Sequence, residues 1–241
     1  MNYWTQGKDN IFVAGHRGWY DKYPENTMLG FRKALELDVD AVEMDVHMTK
    51  DHHIVVCHDA NLARTTDTSG NIFNMTLEEV RKADAGIKFG EEFKGEKIPL
   101  LSDVLDFAAE NPQIPIKIDN VWETYPDDLR AAFLDEIAAR GDKAASIGFT
   151  CRTLECLEQA AEKFPKAMLH YDGPSLDAET LDKVKAIAEG HRLVIWVCYD
   201  NQMTQWFKGP KASAELCDFV RQYGEVGVWI LSKREELACA I

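Results

Sequence analysis

The stretch "IPLLSDVLDFAAENPQIPIKI" (Ile98–Ile118) contains a helix pattern followed directly by a strand pattern. Apolar residues recur at helical spacing in Ser102–Glu110, and the apolar run Ile114–Ile118 is typical of a buried strand. The same unit repeats from here to the end of the chain. Strands that alternate with helices indicate a parallel sheet.

The same rhythm predicts the remaining elements of the chain. The predicted helices after Ser102–Glu110 are Asp127–Arg140, Thr153–Phe164, Ala178–Glu189, Ala212–Tyr223 and a last one in "KREELACA" (Lys233–Ala240). The other predicted strands are Asn10–Gly15, Asp40–Thr49, His53–Asp59, Ala145–Thr150, Ala167–Tyr171, Arg192–Tyr199 and Val226–Leu231. A closed barrel of the (β/α)8 type has eight strands, which is the number predicted here. We therefore expect an α/β protein with a TIM (β/α)8 barrel in a single domain over residues 1–241.

An open doubly wound sheet is the alternative fold, although no glycine-rich dinucleotide loop follows the first strand. The turn "KDH" (Lys50–His52) leaves no room for a helix between the second and third strands. Residues 60–97 form a polar excursion with one short helix near Thr76–Ala83, where Thr76 and Glu79 fit a capping box. Asn26 or Thr27 can cap the first helix of the chain.

Composition excludes several classes of function. The chain has 241 residues, 46% of them hydrophobic, with a net charge of -14 and a pI near 4.9. Such an acidic chain lacks the basic surface that nucleic-acid binding needs, and it is not attracted to anionic membranes. No stretch has transmembrane length and the first residues lack a signal-peptide pattern, so we expect no stable membrane association. Six scattered cysteines indicate free thiols and a cytoplasmic protein.

Charged residues collect where the first four predicted strands end. Because active sites of parallel barrels lie at the carboxyl ends of the strands, these side chains are expected at one rim. The carboxylate pair on the second strand, and the lysine and carboxylate on the fourth, each share a face at i, i+2 spacing. The residues are His16 and Arg17 after the first strand, Glu43 and Asp45 on the second, His58 on the third, and Lys117 and Asp119 on the fourth.

These residue types point to one kind of chemistry. Two carboxylates at one rim suit a hard divalent cation such as Mg²⁺ or Ca²⁺. A metal ion together with Arg17 and Lys117 can hold a phosphodiester and neutralise its transition state. His16 and His58 can divide the acid and base work, since imidazole titrates near neutral pH. The set predicts metal-assisted cleavage of a small-molecule phosphodiester.

Several longer motifs resemble the glycerophosphodiester phosphodiesterase family of TIM barrels. Their order and spacing match that family over roughly the first half of the chain. The resemblance implies a small insertion after the third strand, at about residues 60–97. The matching stretches are "HRG" (His16–Gly18), "PENT" (Pro24–Thr27), "FRKAL" (Phe31–Leu35), "VEMDVHMTKD" (Val42–Asp51), "VVCHD" (Val55–Asp59), "ARTTDTSG" (Ala63–Gly70) and "IPLLSDVL" (Ile98–Leu105).

The resemblance also implies roles for individual residues. The implied reaction is hydrolysis of glycerophosphodiesters to glycerol 3-phosphate and an alcohol through a cyclic phosphate, with either histidine as the initial base. A second family motif corresponds to "IWVCYDN" (Ile195–Asn201), which places Trp196 at the substrate. The implied roles are catalysis for His16 and His58, phosphate binding for Arg17, shaping of the substrate rim for Glu25 and Asn26, and metal binding for Glu43 and Asp45.

The fourth strand departs from the family pattern, which has Glu and Lys at i, i+2 with the Glu as third metal ligand. In one register Lys117 stands at the Glu position and Asp119 at the Lys position, which keeps both in the site and makes Asp119 a metal ligand. In the other register Lys117 keeps its place and Pro115 replaces the ligand. Two other functions stay open. One is a phosphodiesterase or lyase for another polyol or lysophospholipid phosphodiester, and the other is a phosphate-binding barrel without turnover.

Overall fold

The computed structural model describes residues 12–119, 121–199 and 210–229. It divides into two compact units, Met1–Gly148 and Phe149–Ile241, and each is described by itself below. The prediction of a single domain stays a prediction. The start of the first predicted strand and the predicted helix Lys233–Ala240 lie outside the described residues.

Three parallel strands form the sheet of the first unit. They are β1 (Ala14–Gly15), β2 (Ala41–Met48) and β4 (Ile116–Asp119), and β2 pairs with both of the others. The register between β2 and β4 sets Glu43 beside Lys117 and Asp45 beside Asp119. Every residue of β2 is buried, so its acidic residues point into the protein and not into bulk solvent.

The third strand, β3 (Ile54–Val56), runs antiparallel to β2. The two strands form a hairpin in which Val46 pairs with Val56 and Met48 pairs with Ile54. The turn is closed by a hydrogen bond from the Thr49 N–H to the His53 carbonyl, and His52 adopts a φ of 65°. A connection this short cannot cross the sheet to make a parallel pair. One of the eight predicted strands therefore has the opposite direction.

The helices of the first unit begin where the sequence predicts them. Their bounds are α1 (Met28–Ala34), α2 (Leu77–Val80), α3 (Leu101–Glu110) and α4 (Asp127–Ala138). The Thr27 hydroxyl caps α1 by accepting the Gly30 N–H at 3.0 Å. Thr76 and Glu79 form the predicted capping box at α2, so both cap predictions are confirmed.

Residues 60–97 have an apolar cluster of their own, which rests on β3. Three short 3-10 turns, Leu62–Arg64, Ile72–Asn74 and Glu91–Phe93, surround α2 in this excursion. Its cluster also includes Val55 and Cys57 from the hairpin, which anchors the excursion to the sheet. The buried members from the excursion itself, with the residue that follows it, are Leu62, Ile72, Val80, Ala83, Ala85 and Ile98.

The second unit repeats the strand and helix alternation. β5 (Ile147–Cys151) runs across the division between the units, and β6 (Met168–Tyr171), β7 (Leu193–Cys198) and β8 (Glu225–Trp229) are parallel neighbours. The helices between them are α5 (Leu154–Lys163), α6 (Ala178–Ile187) and α7 (Ala214–Val220). All of these elements were predicted to within a few residues. Phe149, stacked on Phe164 with ring centroids 4.7 Å apart, lies in the core.

The sequence predicts free thiols and the absence of a membrane-spanning segment, and the described residues bear on both points. The cysteines among them, Cys57, Cys151, Cys156, Cys198 and Cys217, are free thiols. In the part of the chain that the structure describes, every helix is too short or too polar to cross a lipid bilayer.

We expect Leu62→Ala to destabilise the excursion strongly. Leu62 is fully buried, and its truncation leaves a cavity in a small apolar cluster, which costs about 2 to 5 kcal/mol of unfolding free energy. Leu37→Ala is the matched control, because Leu37 is 44% exposed. Urea denaturation of both variants measures the difference, and equal losses for the two would contradict the buried position of Leu62.

Candidate active site

The candidate site is built around the loop between β1 and α1. Arg17 and Asn26 both adopt left-handed backbone conformations, with φ of 54° and 53°, and the Asn26 N–H donates to the Arg17 carbonyl at 3.0 Å. Gly18, with φ of 84°, touches α1 so closely that a Cβ atom would lie 2.7 Å from the Gly30 carbonyl carbon. The loop shape therefore requires glycine at position 18.

Two acidic side chains of β2 lie buried beneath this loop. Glu43 and Asp45 are 4% and 3% exposed. The backbone N–H of Arg17 donates to Glu43 Oε2 at 2.8 Å, and Arg17 Nε lies 3.4 Å from Asp45 Oδ2. Asn26 holds Asp45 twice, because its Nδ2 donates to Asp45 Oδ2 at 2.8 Å and its Oδ1 accepts the Asp45 N–H at 3.2 Å. The HRG and PEN motifs thus meet at these carboxylates.

Burial of these carboxylates dominates the electrostatics. It raises the pKa of Glu43 well above its ordinary value, and the neighbouring Asp45 charge raises it further. Burial raises the pKa of Asp45 as well, although His58 and Arg17 oppose this. Because burial disfavours the charged forms, a cation bound beside the two carboxylates would stabilise them in their ionised state.

Lys117 and Asp119 lie on the same side of the sheet as the acid pair. Lys117 Nζ is 2.7 Å from Asp119 Oδ2, and the side chains are only 8% and 18% exposed. The register sets them beside Glu43 and Asp45. The role of Asp119 as a metal ligand stays a prediction. Pro115 lies before β4, and its carbonyl accepts the Val42 N–H.

His16 stands next to these charges in a neutral form. Burial lowers the pKa of His16, and with the positive charges of Arg17 and Lys117 brings it to about 3. The charge of Asp119 acts to raise the pKa of His16, and that of His58 acts to lower it. Among the described residues, Nδ1 of His16 is buried without a hydrogen-bond partner. The ring packs edge-on against Tyr20 at 5.2 Å between centroids.

His58 follows β3 and is held by its neighbours. Its Nδ1 donates to Asp59 Oδ1 at 2.6 Å. Its carbonyl accepts the Nε2–H of the buried His47 at 2.9 Å. The hairpin brings His58 back towards Asp45, since the Cys57 N–H donates to the Asp45 carbonyl.

Glu25 lies between two arginines. Arg17 Nη1 donates to Glu25 Oε1 at 3.0 Å, and Arg64 donates to both carboxylate oxygens at 2.7 Å. The hydrogen bonds from Arg64 and the Arg17 charge lower the pKa of Glu25 against the effect of burial. Glu25 thereby orients Arg17, and its predicted contact with substrate stays a prediction.

The donor atoms suit a hard cation, although a complete ligand set is not assembled. Within the described residues, no three Asp, Glu, His or Cys side chains form a group that could hold a metal ion. Glu43 Oε1 and Asp45 Oδ1 nevertheless make no hydrogen bond there, so each carboxylate offers one oxygen. Oxygen donors are those that Mg²⁺ and Ca²⁺ prefer. The chemistry of these residues fits such an ion, and Asp119 pairs with Lys117.

Trp196, the remaining predicted substrate-binding residue, lies on β7 in the second unit. Its Nε1–H donates to His170 Nδ1 at 3.1 Å, and the two rings are 5.8 Å apart. In the same unit Trp229 Nε1–H donates to Asp172 Oδ1 at 3.1 Å. Aromatic and polar groups thus pair at the ends of β6, β7 and β8, and the role of Trp196 stays a prediction.

Arg64 contacts Glu25 and Asp59, and no motif or spacing in the sequence assigns it a role. It lies in the "ARTTDTSG" stretch, and its partner Glu25 is 39 positions away. No local pattern predicts such a pair. The resemblance of the whole stretch to family motifs was the one signal that this segment mattered.

Comparison with protein-family models identifies residues 16–230 as a match to the "Glycerophosphoryl diester phosphodiesterase family". The glycerophosphodiester phosphodiesterase of Caldanaerobacter subterraneus subsp. tengcongensis is 49% identical over 115 residues, which are 47% of each chain. That of Bacillus subtilis is 29% identical over 188 residues, or 75% of this chain and 62% of the relative. The match thus spans about half the length of the first of these relatives.

Solved structures share the fold. The Oleispira antarctica phosphodiesterase in complex with the product sn-glycerol-3-phosphate has a TM-score of 0.70 at 21% identity, over 95% of this chain and 87% of that one. A glycerophosphodiester phosphodiesterase from Thermotoga maritima has a TM-score of 0.63 at 24% identity, over 96% and 91%. These matches confirm the predicted fold class. With its HRG, PENT and HD motifs gathered around one cluster of charges, the chain belongs to the glycerophosphoryl diester phosphodiesterase family.

Proposed function

We propose that this protein hydrolyses glycerophosphodiesters to glycerol 3-phosphate and an alcohol. The observation that carries the proposal is that both histidine-bearing segments are attached to the acidic strand β2. The Arg17 N–H, next to His16, donates to Glu43 Oε2, and the Cys57 N–H, next to His58, donates to the Asp45 carbonyl. Family membership supports the same reaction. The Oleispira antarctica relative, bound to sn-glycerol-3-phosphate, supports a small phosphodiester as substrate.

Arg17 and Lys117 are the groups that bind the phosphate in this proposal. Both cations are already paired with carboxylates, since Arg17 contacts Glu25 and Asp45 and Lys117 contacts Asp119. The acids would repel an anionic substrate. Glu43 and Asp45, joined by Asp119 once it leaves Lys117, would hold a Mg²⁺ or Ca²⁺ ion. Such an ion would reverse the local field and polarise a phosphoryl oxygen.

The histidines divide the proton transfers. His16, which is neutral at physiological pH, accepts the proton of the glycerol hydroxyl next to the phosphodiester. That oxygen attacks phosphorus. The bond from phosphorus to the alcohol breaks as His58, which carries a proton on Nε2 as well as on Nδ1 in this step, donates the Nε2 proton to the leaving oxygen. Water then opens the cyclic phosphate, with the two histidines exchanging roles. Arg17 and Lys117 stabilise the charge on the phosphoryl oxygens throughout.

We also propose a cytoplasmic location. The free cysteines of the described residues, most of them buried, support a reducing compartment.

We expect metal-dependent release of glycerol 3-phosphate that collapses in Asp119→Ala. Loss of one ligand carboxylate weakens binding of the metal ion and removes transition-state stabilisation, so the rate should fall by about 100-fold or more. Release from glycerophosphocholine and glycerophosphoethanolamine is measured with EDTA, Mg²⁺ or Ca²⁺. Asp106→Ala is the matched control, because Asp106 is an exposed aspartate on α3 that pairs with Arg140.

Each alternative outcome has a defined meaning. Wild-type activity in Asp119→Ala would show that Glu43 and Asp45 suffice as ligands, which favours the alignment with Pro115 at the third position. A cyclic phosphate as sole product would make the protein a lyase. If the wild type turned over neither substrate, the proposed reaction would be contradicted. The alternative function, a phosphate-binding barrel without turnover, would then be favoured.

We expect the stability of the protein to fall with acidification partly because of His16. Its pKa is about 3 in the folded protein and near 6.5 in the unfolded chain, so the unfolded state binds the extra proton between these values. This contribution is complete above pH 6.5 and is lost as the pH falls, by at most about 1.4 kcal/mol per pH unit.

Urea denaturation in EDTA at pH 7.5, 6.0 and 5.0 measures this effect against His16→Gln, which cannot titrate. The wild type should lose more unfolding free energy than the variant on acidification. Parallel losses in the two proteins would show that His16 is not buried in a neutral form.

A further inference from the structure

We propose that Asp59 and Arg64 are positioning residues for His58, with Asp59 keeping the imidazole proton on Nδ1 and Arg64 holding Asp59 in place. The inference rests on the proposed function, in which His58 transfers a proton. It assigns roles to two residues that the reaction scheme does not use, and it is argued from contacts within the first unit.

The first contact is the one between Asp59 and His58. Asp59 Oδ1 accepts a hydrogen bond from His58 Nδ1 at 2.6 Å, which is short for a nitrogen donor and typical of a charged acceptor. A carboxylate can only accept, so the proton of a neutral His58 lies on Nδ1. Proton transfer then runs through Nε2. A ring whose tautomer is fixed in this way is ready as base or acid in one orientation.

Arg64 fixes the carboxylate from the other side. Its Nε donates to Asp59 Oδ2 at 2.6 Å and its Nη2 donates to Oδ1 at 3.1 Å, which is the bidentate geometry of an arginine and carboxylate pair. Burial acts to raise the pKa of Asp59, but the hydrogen bonds from Arg64 and His58 lower it to about 2. Asp59 therefore stays an acceptor at every pH at which the enzyme would work.

The Arg64 guanidinium also donates hydrogen bonds to Glu25. Arg64 Nη1 and Nη2 each donate to one Glu25 oxygen at 2.7 Å, and Glu25 in turn binds Arg17. One side chain from the excursion thus joins the loop that carries His16 and Arg17 to the strand end that carries His58. Lysine has a single ammonium and cannot reproduce four bonds in this fork geometry.

The backbone around Arg64 is itself fixed. Arg64 ends the 3-10 turn Leu62–Arg64, which begins where Asn61 Oδ1 accepts the Ala63 N–H at 2.9 Å. Leu62 anchors the turn in the apolar cluster, and the Thr66 hydroxyl donates to the Leu62 carbonyl at 3.0 Å. Because this turn is fixed, the half-exposed Arg64 side chain can hold Asp59 and Glu25 in place, which is the role called a brace below.

The test measures the His58 tautomer and the kinetics in the same proteins. Long-range ¹H–¹⁵N spectra of ¹⁵N-histidine protein, assigned with His58→Gln, report the tautomer without any substrate. In the wild type we expect the neutral ring of His58 to carry its proton on Nδ1. In Asp59→Ala we expect a larger fraction of the neutral ring to carry the proton on Nε2. With glycerophosphocholine, kcat of Asp59→Ala should fall by about 10- to 100-fold while KM stays within about twofold. Asp59→Asn, which keeps one acceptor oxygen, should fall less.

Arg64→Lys tests the brace and also covers the case in which Asp59→Ala does not fold. Its kcat should fall by about 10-fold. Arg81→Lys is its matched control, because Arg81 lies in the same excursion, is similarly exposed, and pairs with Asp103 away from the histidines. We expect Arg81→Lys to retain wild-type kcat.

Two results would overturn the positioning role. One is an Nε2–H tautomer of His58 in the wild type, and the other is wild-type kcat in Asp59→Ala. If the wild type itself releases no glycerol 3-phosphate, the proposed function fails, and the spectra still decide whether Asp59 sets the tautomer.

Discussion

Burial of two neighbouring carboxylates is the constraint on which the first unit depends. Glu43 and Asp45 lie on a strand that is buried along its whole length, and charges of one sign in such a place must be neutralised. The Arg17 guanidinium lies near Asp45, and the charge of Lys117 on β4 acts to lower the pKa of Glu43. The Arg17 N–H and the Asn26 side chain donate hydrogen bonds to the two carboxylates from residues in left-handed backbone conformations.

Local patterns were enough to predict most of the secondary structure. The caps at Thr27 and Thr76 and the alternation of helices and strands depend on residues close in sequence, and the structure reproduces them. That Glu43 and Asp45 lie on the same face of β2 also follows from the two-residue period of a strand. Motif resemblance brought His16 and His58 into the same site.

Other features depend on tertiary placement and had no local signal. The grip of Arg64 on Glu25 joins residues far apart in sequence. The placement of Lys117 beside Glu43 and of Asp119 beside Asp45 depends on the register between β2 and β4, which the sequence of neither strand indicates. The low pKa of His16 arises from burial and from the charges of Arg17 beside it and of Lys117 on β4, so composition alone cannot indicate it.

The β2–β3 hairpin has a consequence for the order in which the site assembles during folding. Pairing of Val46 with Val56 closes a short loop, which forms quickly and at small entropic cost. It brings His58 towards Asp45. Pairing of Asp45 with Asp119 closes a much longer loop, and its entropic cost is larger. The acid pair therefore gains contact with its histidine at a lower loop-closure cost than contact with its lysine.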